Sequence, residues 1–384
     1  MDRIIVTPGT TAHPQGRRYS LDISCGDEGE VQRTEVFFDI SGDSIPPGVA
    51  NEDYAVMATL FFAMGRGADL EIRGRVTKRL LANLEEFQEA WCSWCPRKYK
   101  KISVSATTIL PHQERAESGY RAVVAFSGGV DATFTLLRHH HRLAGQRSCD
   151  LVAAVLIHGF DIPLADNASF ETAAGNARDM LRPLNLPLTR IRTNWREICS
   201  DWEKEYVTGL ASCLWLFSSV SDVGLFGSDE DYTSFVLPWG SNPITNPMLA
   251  SDGFRIVTDG GGFSRTGKVD LIRNHPEVTR YLRTCWEGPQ TGGNCGYCEK
   301  CVRTKLNFLA LGSEPPPSLP GRVGWKNLLH LRARNKVQLS FLVDILDFAR
   351  KYGKSLIPVW KLALIVHVNR VLLAYRSLVS LLRS

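Results

Sequence analysis

The chain has 384 residues, 44% apolar and 22% charged, with a formal net charge of +5. That is the balance of an ordinary soluble globular protein, long enough for two or three domains. No Lys/Arg run reaches the length of a basic tail, so an anionic partner is permitted but nucleic acid is not demanded. The N-terminus lacks a long apolar core, and no stretch of about twenty residues is both apolar and uncharged. These features point away from a secretory signal or transmembrane segment and towards the cytoplasm, where ten cysteines are expected to be reduced.

In chain order, "RYSLDISC" and "TEVFFDI" alternate like strands. "YAVMATLFFAM" has helical periodicity, "ADLEIRG" is a strand, "TKRLLANLEEFQEAWCSW" a second helix, and "KISVSATTIL" a further strand. Residues 1–115 are therefore expected to form an N-terminal α+β accessory domain, closed by a polar linker from Pro111 to Tyr120.

From Arg121 the rhythm changes. The apolar runs "RAVVAF", "DLVAAVLIH", "LTRIRT" and "VGLFGS" alternate with helical patterns. One of these is a long helix expected across "WREICSDWEKEYVTGLASCLWLFSSV". Buried strands alternating with helices predict an α/β fold with a parallel, doubly wound sheet. Ligands of such sheets sit at the carboxyl ends of the strands, which directs attention to the loops starting at Ser127, His158, Thr193 and Ser228.

The Pro-rich stretch "GSEPPPSLPGR" breaks the chain. It separates a central domain, residues 120–311, from a helical C-terminal extension, 323–384. On the last helix Arg370, Arg376, Ser377, Ser380 and Arg383 share one face. Packing on the protein's own body is the simplest reading of that amphipathic pattern; a membrane surface or a partner helix is the alternative.

Two motifs carry chemistry. The first is "SGGVDAT", Ser127 to Thr133, between a strand and a helix. It has neither the Gly-Lys-Ser/Thr ending of a Walker loop nor the Gly-x-Gly-x-x-Gly spacing of a dinucleotide turn. Gly128 and Gly129 let backbone approach a ligand, and their N–H groups with the helix N-terminus form an anion cradle. The Ser127 and Thr133 hydroxyls can add hydrogen bonds. Asp131 would repel phosphate unless a cation intervened, which suggests Mg²⁺ with the nucleotide. A simple helix cap after a glycine turn is the alternative.

The second is Cys285, Cys295, Cys298 and Cys301, closed by two overlapping C-x-x-C steps. Four thiolates at this spacing fit a structural Zn²⁺ with every position filled. An Fe–S cluster or buried free thiols are the rivals. Cys92 and Cys95, interleaved with Trp91 and Trp94, are expected to pack; Cys25, Cys149, Cys199 and Cys213 are expected to be scattered buried thiols.

Ser127, Gly128, Gly129, Asp131 and Thr133 resemble the PP-loop of the ATP pyrophosphatase, or adenine nucleotide alpha-hydrolase-like, family. Ala132 departs from that pattern by one hydroxyl. Together with the knuckle "NCGYCEKCVRT", the chain from about Arg121 to Gly312 resembles the QueC-like, 7-cyano-7-deazaguanine synthase-like branch. Its first cysteine spacer is one residue longer here. The resemblance implies a HUP-type sheet. It also implies a ligase that adenylates a carboxylate such as a 7-carboxy-7-deazaguanine, releases pyrophosphate, and passes the acyl group to an amine.

On that resemblance ATP is expected at Ser127, Gly128, Gly129, Val130, Asp131 and Thr133, with His158 and Thr193 lining the adenosine pocket. His158 is equally readable as a satisfied loop histidine. Asp131, Lys268 and Arg265 are the expected catalytic groups. Ser228, Asp229, Tyr232, Gly240, Ser241 and Asp259 are the expected substrate contacts, in a long Gly/Pro-rich loop that could also be a solvated surface loop. The N- and C-terminal additions are similar to those of QueC-like proteins in bacterial anti-phage operons. There the acceptor amine could belong to a small operon-encoded protein, and a homo-oligomer is possible. A non-catalytic nucleotide-binding scaffold, or another PP-loop amidation or tRNA-modifying enzyme, is the alternative.

Overall fold

The computed structural model describes residues 3–13, 15–26, 32–112, 120–285 and 292–381. Most of the Pro111–Tyr120 linker and part of the first cysteine spacer lie outside the described residues.

The N-terminal region contributes β1 (Arg3–His13), β2 (Gly16–Cys25), β3 (Gln32–Gly42), α1 (Asp53–Arg66), β4 (Asp69–Thr77), α2 (Lys78–Trp94) and β5 (Val104–Leu110). The central region runs β6 (Arg121–Ala125), α3 (Val130–His140), β7 (Asp150–His158), α4 (Asn167–Leu181), β8 (Leu188–Thr193), α5 (Trp202–Trp215), β9 (Val223–Gly227), β10 (Arg255–Asp259), α6 (Arg265–Ile272), α7 (Pro276–Thr279) and α8 (Glu299–Ala310). The extension adds α9 (Trp325–His330), α10 (Lys336–Tyr352) and α11 (Val359–Leu381).

All ten strands join one sheet, ordered β10-β9-β6-β7-β8-β3-β2-β1-β4-β5. The strands β6 to β10 pair in parallel. Ranked by chain order, these five lie 3-2-1-4-5, the doubly wound order. The chain reverses direction across the sheet between β6 and β9, so a crevice opens at their carboxyl ends. The glycine turn follows β6 at that point.

Residues 1–115 do not stand apart from this sheet. β3 pairs antiparallel with β8, Phe38 opposite Thr193 and Gly42 opposite Thr189. The hydrophobic core on this face is also shared, since Tyr54, Leu60 and Trp91 belong to the same buried cluster as Ile191, Trp195 and Trp215. Ser212 Oγ donates to the Tyr54 carbonyl at 2.9 Å, and the Trp195 indole to the Ala58 carbonyl at 2.8 Å. α1, α2 and α5 cover this face. α3, α4, α6 and α8 cover the other, over a second core of Phe134, Leu137, Met180 and Val269.

Two strands were not expected. β1 contains Pro8, which breaks strand periodicity. Its pairing with β4 ends at Val6 opposite Ile72, so Pro8 has a strand neighbour on the β2 side alone, where it faces Leu21. β10 is short and emerges from the Gly/Pro-rich loop. The long helix expected from Trp195 is also interrupted: a 3-10 turn covers Trp195–Glu197, and α5 begins only at Trp202. The reason is tertiary. Asn194 bridges the backbone of Phe37 and Glu35 on β3, and Glu205 accepts from the Ser200 N–H at 2.9 Å and from its hydroxyl at 2.6 Å.

Cys92 and Cys95 are half-buried against the first core, beside a cluster in which the Phe61 ring lies 5.0 Å from Trp91 and 4.9 Å from Tyr99.

Candidate functional site

The turn after β6 places Gly128 at φ +75°, a conformation that favours glycine. Gly129 then caps α3 with extended backbone, and its N–H points to Ser127 Oγ at 3.4 Å. Ser127 is exposed, while Thr133 is fully buried and its hydroxyl has no partner among the described residues. Ala132 is half-buried.

Asp131, in the first turn of α3, is the centre of the site. Arg265 Nη1 lies 2.9 Å from one carboxylate oxygen and Lys268 Nζ 2.9 Å from the other. Burial opposes its charge. Arg265 and then Lys268 oppose burial, and the carboxyl is held below its ordinary range. Lys268 is 1% exposed and also donates to the Ser228 carbonyl at 2.5 Å and hydroxyl at 3.0 Å. These bonds tie α6 to the ends of β6 and β9. Gly227 permits the approach, because a Cβ there would lie 2.6 Å from the Asp131 carbonyl oxygen.

Two further cations reach this edge from α8, the helix that the knuckle begins. Lys300 is half-buried, and its ammonium is pushed down by burial and by Arg265 and Arg303, with Asp161 and Asp229 opposing. Arg303 is 7% exposed. Its guanidinium is lowered to about 10 by burial, against the attraction of Glu299, whose carboxylate lies 2.8 Å from its Nε. Arg303 Nη1 and Arg265 Nε find no hydrogen-bond partner among the described residues. The site thus gathers Arg265, Lys268, Lys300 and Arg303 near Asp131, with Glu299, Asp161 and Asp229 beside the outer two, a cluster of cations suited to a polyanion. Lys300 and Arg303 were missed from the sequence. Their signal was a basic pair three residues apart inside "CEKCVRT".

The loop after β9 is held by its own hydrogen bonds, with Tyr232, Val236 and Ile244 left exposed. Asn242 Oδ1 accepts the Ile244 and Thr245 N–H groups at 3.1 and 2.7 Å, and Asn246 donates to Ser241 Oγ at 3.0 Å and Thr258 Oγ1 at 2.8 Å. Asp229 accepts from the Tyr206 hydroxyl and from the Trp239 indole, the latter at 3.2 Å. Gly240 donates to the Glu203 carbonyl at 2.8 Å, and a Cβ there would meet that oxygen at 2.7 Å. Ser241 is buried; Tyr232 is exposed over Gly261. Glu230 Oε2 is buried without a partner among the described residues, and its carboxyl is raised to about 7 by burial, then by Asp229 and Asp231.

Three expected contacts face elsewhere. The Asp259 carboxylate turns to the α3 face, where Arg138 pairs with it and Thr135 Oγ1 lies at 3.5 Å. Burial opposes its charge, but His139 and Arg138 hold the carboxyl low. His158 bonds the Pro163 carbonyl at 2.9 Å and stacks on Phe170 with centroids 4.2 Å apart, the satisfied loop histidine. Thr193 Oγ1 accepts the Trp195 N–H at 3.1 Å. All three side chains hold the scaffold; only their backbone is left to face a ligand.

The cysteines do converge. The ligand atoms of Cys285, Cys295, Cys298 and Cys301 all lie within 4.8 Å of one another. Sγ of Cys285 and Cys298 are 3.7 Å apart, and those of Cys295 and Cys301 3.9 Å. A tetrahedron with metal–sulfur bonds of about 2.3 Å has edges of about 3.8 Å, so the thiolates fit Zn²⁺. Disulfides at about 2.05 Å are excluded by the same distances. N–H groups of Cys298 and Cys301 point at Cys295 Sγ, 3.3 Å, and Cys298 Sγ, 3.5 Å. The knuckle also touches the glycine turn, since Arg283, two residues before Cys285, donates its N–H to the Gly128 carbonyl at 2.8 Å.

The extension braces the same elements. Asp344 on α10 accepts the Thr266 N–H at 3.0 Å, at the start of α6. Phe341 lies under Arg303 with the guanidinium carbon 4.3 Å from the ring centroid.

Compared with protein-family models, curated proteins and solved structures, the chain matches none.

Proposed function

We propose that the protein is an ATP-dependent, AMP-forming ligase that activates a carboxylate as an acyl-adenylate and passes the acyl group to an amine. The observation that carries this reading is the clustering of Arg265, Lys268, Lys300 and Arg303 about Asp131, at the mouth of a lysine-free glycine turn. Such a site suits a triphosphate whose pyrophosphate must be held as it leaves.

In this reading the turn Ser127–Thr133 cradles the phosphates with backbone N–H groups. Arg265 stabilises charge developing on the α-phosphate, while Lys268, whose three N–H groups are taken by Asp131 and Ser228, adds its charge and holds both in place. Lys300 and Arg303 hold the leaving pyrophosphate. Mg²⁺ would arrive with the nucleotide and supply charge neutralisation; Asp131, whose two oxygens pair with Arg265 and Lys268, would have to exchange one of these partners to ligate it. Zn²⁺ would hold the knuckle and so the position of α8. The resemblance noted above makes a 7-carboxy-7-deazaguanine the substrate to try first, with ammonia or a protein amine as acceptor. The protein supplies positioning and electrostatics, and the nucleophiles belong to the substrates.

The test is incubation with ATP, Mg²⁺ and 7-carboxy-7-deazaguanine, with nucleotide products separated. AMP and pyrophosphate are expected; ADP would overturn the assignment. ATP binding without AMP under any acceptor would favour the scaffold alternative.

A further inference from the structure

The last helix carries a second feature, remote from the nucleotide chemistry. Its inner face is buried: Leu362, Ile365 and Val366 pack with Ile345 and Leu346 of α10 and Leu328 of α9. Asn369 caps the arrangement by accepting the Ala333 N–H at 2.7 Å. The outer face is largely apolar as well, with the exposed His367 between Leu364 and Val371 its polar member. Trp360 is 60% exposed, Leu364 45%, Val371 54% and Tyr375 65%. Their spacings of four, seven and four residues put them on one side of the helix, a stripe of about 22 Å at 1.5 Å per residue. Leu356, just before the helix, and Trp325, whose ring lies 5.6 Å from that of Trp360, widen its near end.

Charge says what would cover it. From Arg350 to Arg376 the chain carries Arg350, Lys351, Lys354, Lys361, Arg370 and Arg376, and no carboxylate. Among the described residues Arg350 alone of these has an acidic neighbour within ion-pair distance, Asp347 at 3.9 Å. Lys361 sits over both tryptophan rings, 4.8 Å from Trp325 and 5.6 Å from Trp360. A second copy of the helix would bring Lys361 and Arg370 against the same cations, which opposes self-association. An anionic bilayer satisfies both properties. Aromatic and aliphatic side chains enter the headgroup boundary, while lysine and arginine meet lipid phosphates. No helix among the described residues is long and apolar enough to cross a membrane, so the helix would lie in the surface plane.

We propose that the outer face of α11 is a docking surface for an anionic lipid bilayer. Trp360, Leu364, Val371 and Tyr375 are its anchors, and Lys361 and Arg370 flank them; Arg376 turns to the inner side, where it reaches the Ala333 carbonyl. This assignment is independent of the reaction at Asp131.

The experiment is vesicle flotation of the full-length protein with bilayers of equal phosphatidylcholine and phosphatidylglycerol, and with phosphatidylcholine alone, at low and high salt. Binding is expected on the anionic vesicles, weakened by salt and lowered about tenfold or more in the Trp360→Glu/Leu364→Glu double variant. An Arg370→Gln variant should weaken binding to anionic vesicles while keeping the apolar stripe. Because all three residues are exposed, circular dichroism should show unchanged melting; a variant that unfolds is replaced by Tyr375→Ser/Val371→Ser. Absence of flotation with the anionic vesicles overturns the proposal. So does light scattering that finds a dimer dissolved by the double variant, because the face would then meet a second copy.

Discussion

The Lys268 ammonium lies 2.9 Å from the Asp131 carboxylate across 137 residues of chain, and it also holds the Ser228 backbone at 2.5 Å. One buried lysine thereby joins the start of α3, the end of β9 and α6. Replacing it with Met should cost about 3 kcal/mol, because Ser228 and Asp131 lose their shared partner in a largely dry site. ATP affinity should fall about 10-fold or more, since Asp131 and Ser228 lose the ammonium that holds them beside the glycine turn, where a bond to a charged group contributes about 1.5–3 kcal/mol. Urea unfolding and nucleotide titration measure the two effects.

Acid should weaken the same site. The Asp131 carboxyl is held below its ordinary value, so its contribution to stability is present above about pH 4 and is lost as pH falls through the lower folded value. Wild type should be more stable than Asp131→Asn at pH 7, and unfolding curves taken at successively lower pH should show the gap narrowing below about pH 4.

Glu230 should behave oppositely. Its folded carboxyl titrates at about 7, above the unfolded value of about 4.3, so ionising it costs stability as pH rises through that window. Glu230→Gln should therefore raise the melting temperature at pH 8 and leave it nearly unchanged at pH 4.

Metal removal should reach the nucleotide site. Cys298→Ser, or chelation, should release about one zinc per chain. The knuckle is joined to the glycine turn through Arg283 and to the cation cluster through Lys300 and Arg303, so ATP affinity should fall with zinc content. Elemental analysis beside nucleotide titration checks the correlation; unchanged affinity in the zinc-free protein would separate the two.

The C-terminal extension should matter in a graded way. Asp344→Ala removes the carboxylate that accepts the Thr266 N–H and should cost about 1 kcal/mol, whereas Asp344→Asn keeps an acceptor and should be close to neutral. At the turn itself, Ala132→Ser restores a hydroxyl and should raise AMP release if the proposed reaction is the one performed.

The sequence by itself determined the local chemistry: the glycine turn, four cysteines at metal spacing, the alternation of buried strands with helices. Each depends on neighbours a few residues apart, where spacing and backbone preference speak directly. It also singled out Asp131, Lys268 and Arg265, and the fold brings each of the two cations to 2.9 Å from the Asp131 carboxylate. Only the tertiary structure decided the rest. Asp259 looked like a ligand contact until the pleat of β10 sent its carboxylate to Arg138. Residues 1–115 looked separable because strand pairing between β3 and β8 is set by register across 150 residues, which no local pattern encodes. Lys300 and Arg303 became part of the site only when the knuckle turned α8 over the sheet edge. The C-terminal helices proved to brace α6, because a helix cap can be supplied by any carboxylate that packing delivers.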